Sequence, residues 1–329
     1  MKFKKLLLIP LAALLLNGCA LGKKVDTQVA KARVAEAIKT QEEIETDTYS
    51  QNTEQDLVEK VTADREEGTI TEKATIKGKT SVKAKGLRSE KPEFAVSVKG
   101  LLKVEENNKE TMFGDITENI YYVDGWLYED YDVTFREEGR TREENGKMKA
   151  NIGKLDFINN HILDVLDNYV GGSATFDVVD FEEVKTLGEI TDNITAREFG
   201  GVLTVTYKIS KDDLVRYIAS QLSGIDYGDL TSEEREAVDA MIDLVVAQIE
   251  KGYKVRKYEI VIEIAKEGYI QKIRVDQDVK QTVYDPKDTS DNPAVMLIAE
   301  SKGFAELNIK INEKVTIKYP NFSDYTEIL

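Results

Sequence analysis

The chain has 329 residues, 41% of them hydrophobic, and a formal net charge of −16. That apolar content supports a packed core, while so acidic a chain is unsuited to nucleic acid or to electrostatic docking on anionic lipid. One cysteine and one histidine exclude disulfides, Cys–His catalysis and multi-histidine zinc sites, and leave a Ser–His–Asp triad no choice of base.

The first residues read Met1-Lys2-Phe3-Lys4-Lys5, then an apolar run over 6–16 broken only by Pro10, then Asn17-Gly18-Cys19. A basic start, a short apolar stretch and a small-residue end make a secretion signal. The run falls well short of the roughly 20 residues a membrane-spanning helix needs, and Lys23 and Lys24 close off any extension. Leu16-Asn17-Gly18-Cys19 resembles the lipobox of bacterial lipoproteins, although Asn17 stands where that family more often has Ala, Ser or Thr. The resemblance implies cleavage between Gly18 and Cys19 and diacylation of the Cys19 thiol with palmitate-like chains. Two such chains form a stable anchor where one is marginal. An ordinary secretion signal that happens to contain a cysteine is the alternative. Loss of Lys2, Lys4 and Lys5 with the signal makes the mature chain still more acidic, so membrane attachment has to come from the lipid. Ala20 after the cysteine would not favour retention at an inner membrane; whether there is an outer one is not written in the sequence.

Beyond the signal, residues 19–68 read as a polar tether and an N-terminal helical segment. The helix is expected over 26–45, with Ala30, Val34, Ala37 and Ile38 on one side. The acidic stretch 46–68 holds only a small helical cluster of Leu57, Val58 and Val61, a stalk or an appendage of the body.

A single domain is expected over 69–329. From Thr69 the pattern alternates: Ala74, Ile76, Gly78, Thr80, Val82 and Ala84 share one face and lysines dominate the other, the period of a half-buried strand. The small residues imply a close approach to that face. Residues 94–104 continue as a strand, and 119–128 are a hairpin around Asp124-Gly125, which suits a two-residue type I′ turn. Tyr131, Val133 and Phe135 extend the meander, with further turns expected at Glu138-Gly139 and Asn145-Gly146. Helical spacing follows over 155–170, which includes His161, then strands near 174–181 and 202–209. A second helix starts at Ser210 and a third at Thr231, the latter with a capping box to Glu234 and an end at Gly252. Strands return at 258–264, 269–275, 295–300, 304–311 and 315–317, with turns at Lys266-Glu267-Gly268 and Lys302-Gly303. Strands in runs with helices in a block predict an α+β fold: a curved, largely antiparallel, half-barrel-like sheet with helices packed on one face.

No motif announces catalysis, a metal or a cofactor, and the chain reads as non-enzymatic. Tyr121, Tyr122, Trp126, Tyr128 and Tyr131 suit stacking on a sugar or lipid headgroup, or simply cross-strand pairing. Asp285, Asp288 and Asp291 crowd one loop but lack the calcium-loop spacing, and a solvated loop is the better reading. The same holds for Asp130, Asp132, Glu137 and Glu138.

The Tyr121–Tyr128 hairpin, the helices after residue 150 and the closing Val315-Thr316-Ile317-Lys318-Tyr319-Pro320-Asn321-Phe322-Ser323-Asp324-Tyr325 give the body a layout similar to the LolA/LppX-like lipoproteins. The resemblance spans roughly residues 70–329 and implies a half-barrel closed by helices over an apolar cavity. Such a cavity would be lined by Val96, Val98, Ile158, Ile162, Leu166, Met241 and Val245 and would hold a lipid. The small residues of the first strand can instead seat a helix tightly and leave no cavity. Two functions stay open: a membrane-anchored, extracytoplasmic lipid-binding protein, or a non-catalytic surface or envelope interaction protein; a hydrolase ranks third. Substituting Cys19→Ala is expected to leave an uncleaved, unacylated precursor and to release the protein from the washed membrane fraction. Wild-type processing and retention of that variant would refute the lipobox reading.

Overall fold

The computed structural model describes residues 22–42, 46–65, 68–137, 139–155, 181–223, 246, 249–285 and 293–328. Its frame is one sheet of thirteen strands. In chain order these are β1 (Lys23–Lys24), β2 (Thr48–Arg65), β3 (Gly68–Lys85), β4 (Glu93–Glu106), β5 (Lys109–Val123), β6 (Trp126–Glu137), β7 (Arg140–Asn151), β8 (Ile194–Phe199), β9 (Val202–Lys208), β10 (Tyr253–Ile264), β11 (Ile270–Tyr284), β12 (Val295–Ile311) and β13 (Thr326–Glu327). The helices are α1 (Thr27–Glu42), α2 (Phe181–Ile190) and α3 (Lys211–Ser223). Spatially the strands run β1-β8-β9-β10-β11-β12-β2-β3-β4-β5-β6-β7-β13. Every pair is antiparallel except β13 on β7, and the sheet does not close into a barrel.

Two meanders make up this sheet, β2–β7 and β8–β12, and the β2–β12 ladder joins them. It is continuous from Leu297 opposite Ala63 to Ile311 opposite Tyr49. The acidic segment expected as a stalk with a helical cluster is therefore a central strand, and the boundary expected at residues 68/69 falls inside the β2–β3 hairpin, which pairs from Thr48–Lys85 to Arg65–Gly68. Propensity misleads here because β2 is interrupted by Asn52, Glu54, Asp56, Glu59 and Asp64, residue types depleted in strands; cross-strand partners on both sides decide its state.

Other expectations shift similarly. Asn145-Gly146 is inside β7, where a Cβ on Gly146 would lie 2.9 Å from the Tyr131 ring. Glycine there makes room for an aromatic neighbour. Gly303 is inside β12 with φ +153, and a Cβ would lie 2.0 Å from the Asp56 carbonyl oxygen. The expected turn is a close approach of two backbones, which only glycine permits. Residues 315–317 form no strand. Phe181, the one described residue of the strand expected near 174–181, opens α2, whose Val184 and Leu187 are buried. The short strand β8 carried no sequence signal that singled it out. The helices expected over 155–170 and from Thr231 lie outside the described residues, apart from Leu155, Val246, Ile249 and the 3-10 turn Glu250–Gly252.

Several local readings hold. Asp124 and Gly125 both have positive φ (51 and 84), as a type I′ turn requires. At the start of α3, Ser210 Oγ accepts from the Asp213 N–H (3.1 Å) while Asp213 Oδ2 accepts from the Ser210 N–H (2.9 Å), a reciprocal cap.

The core lies on one face and toward one end of the sheet. Tyr49, Val82, Ala84, Phe94, Val96, Ile120 and Tyr122 bury that face on one side; Leu203, Val205, Ile260, Ile262 and Ile273 continue it on the other. The stripe Ala30, Val34, Ala37 and Ile38 of α1 is buried in the same cluster, and α1 packs over β8, β10 and β11. Gln41 Oε1 accepts from the buried Ile270 N–H (3.2 Å), which fixes the end of α1 on β11.

The opposite face is charged and cross-linked. Arg274 holds Asp276 through two nitrogens (2.8 and 3.0 Å) and Glu306 through a third (3.0 Å), while its guanidinium lies 4.3 Å from the centre of the Phe304 ring. Hydrogen bonding to Arg274 lowers the Asp276 pKa against the opposing effect of burial. For Glu306 burial acts upward, but hydrogen bonds from Asn308, Arg274 and Lys272 outweigh it and lower the pKa. Carboxylates with lowered folded pKa values contribute stability that is complete above their ordinary range, about pH 4, and vanishes as pH falls through the lowered values. Arg274→Met should therefore unfold at lower denaturant than wild type at pH 7, with the gap closing below about pH 3. Urea titrations at the two pH values check this; an equal gap at both would show that the arginine acts by packing alone.

Candidate functional site

The alternation that builds the sheet also sorts its chemistry. Cross-strand pairing carries the inward row Tyr49, Ala84, Phe94, Tyr122 and Leu127 from β2 to β6, and each second residue along these strands repeats it. Lys73, Lys77, Lys79, Lys83 and Lys85 of β3, with Lys99 and Lys103 of β4, all fall on the other parity. They meet acids across strands: Lys77 with Asp56 (2.8 Å), Lys79 with Glu54 (2.9 Å), Lys85 with Glu93 (2.8 Å) and Lys73 with Glu105 (3.6 Å). The inward positions of β3 from 70 to 84 and of β4 from 94 to 104 carry no lysine or arginine.

Burial along that inward face is graded. At the core end Val96 and Val98 are each 1% exposed. They are packed on Val82 and Thr80 from one side and opposite Ile120 and Glu118 on the other, too closed to border a water-sized space. Toward the far end the apolar rows continue through Leu57, Ile76, Leu102, Ile116 and Val133, which are only half-buried. Between the two zones runs a polar row of Thr53, Thr80 and Glu118, all buried, with Glu129 on the next row, where burial raises its pKa. Among the described residues the Thr80 hydroxyl has no hydrogen-bond partner. The small residue Gly78 accommodates a side chain rather than a helix: a Cβ there would lie 3.0 Å from Gln55 Nε2. Of the expected cavity wall, Ile158, Ile162, Leu166, Met241 and Val245 lie outside the described residues, as do Gly18, Cys19 and His161.

The aromatic hairpin divides. Tyr122 points inward, stacks on Phe94 (centroids 5.5 Å, 16°), donates to the Gly153 carbonyl (2.9 Å) and accepts from the Leu155 N–H (3.1 Å). Tyr121 and Tyr128 point outward and are covered by the C-terminal segment: Phe322 stacks on Tyr128 at 3.7 Å, and Tyr319 and Phe322 meet Tyr121 edge-on at 6.1 and 5.8 Å. Tyr325 donates to Asp130 Oδ2 (3.1 Å), Tyr319 donates to Glu93, and Thr326–Glu327 then pairs with β7. Burial, then the Glu93 hydrogen bond, raises the Tyr319 pKa; burial, then the Asp130 charge, raises that of Tyr325. Tyr121 and Tyr128, which pair across strands, thus stack on the chain's own tail. Sequence pattern marked both halves of this cluster without revealing that they meet.

The acids resolve less tightly. Asp130 also accepts from Asn119 Nδ2 (2.8 Å), and the backbone N–H of Asp285 bonds to the Ala294 carbonyl (2.8 Å); Asp288 and Asp291 lie outside the described residues. Among the described residues no group of three metal-ligating side chains comes together. Likewise, no described helix is long and apolar enough to cross a membrane.

No family model matches the chain, and no curated protein matches it. Among solved structures, the translocator domain of the autotransporter NalP from Neisseria meningitidis is 8% identical, with alignment over 85% of this chain and 95% of that one and a TM-score of 0.20. A β-barrel-like protein of the DUF1849 domain of unknown function from Brucella abortus is 10% identical over 82% of this chain and 100% of that one, TM-score 0.22. The chain is thus a large β-sheet protein with distant barrel-like neighbours. Phe322→Ala should cost about 2 kcal/mol, the share of a half-buried ring that stacks on another. Limited proteolysis should then cut first after Lys314, whereas an unchanged cleavage pattern would show that the tail is held by its backbone alone.

Proposed function

We propose that this is an extracytoplasmic lipoprotein, held at a membrane by acylated Cys19, that binds a lipid or similar hydrophobic molecule along the inward face of the sheet. The supporting observation is the gradient on that face: apolar rows continue past the packed core through half-buried Leu57, Ile76, Leu102, Ile116 and Val133, and the lysines of β3 and β4 all fall on the other parity. An apolar surface with polar groups at one end suits an acyl chain with its head toward Thr80, Glu118 and Glu129. The likeness to the LolA/LppX-like layout points the same way. No step of chemistry is called for.

A second reading, a surface or envelope interaction protein, draws on Val283, Tyr284, Val295 and Met296, exposed apolar residues gathered where β11 and β12 end. Contact residues of that kind at a sheet end suit a protein partner.

The lipid reading is tested on the full chain purified from membranes in mild detergent. Native mass spectrometry should show co-purified lipid beyond the covalent acyl chains, and the delipidated protein should take up a fluorescent fatty acid. Leu102→Glu, which sets a charge among the half-buried rows, should weaken that uptake at least tenfold, about 1.4 kcal/mol, with the fold retained by circular dichroism. Neither co-purified lipid nor uptake by the wild type would overturn the reading in favour of the second.

A further inference from the structure

The N-terminal strand fixes where the anchor leaves the body. β1 pairs antiparallel with β8, Lys23 opposite Glu198 and Lys24 opposite Arg197. One step further back, Gly22 lies against the end of β8: a Cβ there would meet the Arg197 Cβ at 3.0 Å and the Glu198 carbonyl oxygen at 3.2 Å. Cys19 is three positions before Gly22, a reach of at most about 11 Å. An anchor at Cys19 is thus held within that distance of the strand end beside the β8–β9 hairpin. The hairpin tip is unusual for a solvated turn. Gly200 and Gly201 both have positive φ (60 and 87), and the turn they make presents Phe199 at 69% exposure, the most exposed of the large hydrophobic side chains among the described residues. Exposed Lys23 and Lys24 lie on the adjoining strand, opposite Glu198 and Arg197, and exposed Lys266 packs along Gly201 of the turn.

We propose that the β8–β9 tip is a second membrane contact: Phe199 enters the bilayer interface beside the acylated cysteine, with Lys23, Lys24 and Lys266 among the lipid headgroups. An exposed apolar side chain at a turn, with lysines on the adjoining strand and turn, is an arrangement that interfacial elements use, and a reach of about 11 Å is too short to hold the tip far from the surface. Contact at this tip also sets the direction of the body. The β8–β9 turn shares its end of the sheet with the β10–β11 turn at Glu267-Gly268, since Leu203 pairs with Ile264. Met296, 48% exposed, is near the opposite end, paired strands away. The sheet then stands with its packed core toward the membrane and its half-buried rows extending away from it.

This inference rests on the anchor reading, and the test separates the two. The full, acylated chain with Trp126→Phe and Phe199→Trp is reconstituted on phosphatidylethanolamine–phosphatidylglycerol vesicles whose acyl chains carry bromine. Emission of the new tryptophan should shift to the blue and fall about twofold, as expected for a ring at the headgroup–acyl boundary. A Met296→Trp chain in the same background should stay unquenched. An unquenched Phe199→Trp on protein that floats with the vesicles overturns the tip contact and leaves the anchor standing. Acylation absent by mass, with protein that does not float, overturns the anchor and the tip contact together.

Discussion

The β2–β12 ladder is the constraint on which the remainder of the structure depends. Its strands are about 250 residues apart in sequence, yet they pair over their whole length and fuse two meanders into one sheet. Closing a loop of that size costs on the order of 5 kcal/mol in chain entropy, which no local turn can offset. What offsets it is the number of backbone hydrogen bonds and the inward rows that become continuous only when the ladder forms. Gly303 is central to this pairing, because a side chain at its close approach to Asp56 would force the strands apart in the middle of the seam. Without the seam, α1 and its bed of β8, β10 and β11 would be parted from the strands that carry Phe94 and Tyr122.

Alternation along long strands then produces a two-sided object. On one side successive rows are apolar and, at one end, closed by helices; on the other, acids and bases meet across strands at hydrogen-bonding distance. Exposed pairs of this kind contribute little singly, but they keep a wide solvated face of mixed sign rather than a single strong field. The segregation also places the acids Glu118 and Glu129 among apolar neighbours, where one of them already titrates upward. Groups of that sort, rather than the surface pairs, are where a ligand's polar end would find partners.

Much of this was legible locally. Asp124-Gly125, the alternation of 69–86, the apolar stripe of α1 and the helix start at Ser210 each belong to interactions spanning a few residues, and each formed as its pattern implied. What stayed hidden were partners far apart in the chain. β2 has few apolar residues, and Leu57 and Val58 point to opposite faces, so its period resembles nothing until β3 and β12 flank it. Lys302-Gly303 and Asn145-Gly146 look like turns because glycine permits turns, and permissiveness for close packing leaves the same trace. Tyr319, Phe322 and Tyr325 could be noticed as aromatic, but their partners Tyr121 and Tyr128 are about 200 residues earlier.

The two shortest strands have a consequence for solubility. An open sheet has two borders, and an unpaired border strand is a template on which another chain can add. Here both borders are engaged by segments from near the two ends of the chain itself: Lys23–Lys24 lies along β8, and Thr326–Glu327 along β7. Where those caps stop, β7 exposes a border dense in charge, Arg140, Arg142, Glu143, Glu144 and Lys147, which resists strand addition by a second copy. Trimming either end of this protein would thus do more than shorten it. It would uncover Met148 and Lys149 of β7 or Arg197 and Glu198 of β8, and self-association of an otherwise intact fold would begin at those positions.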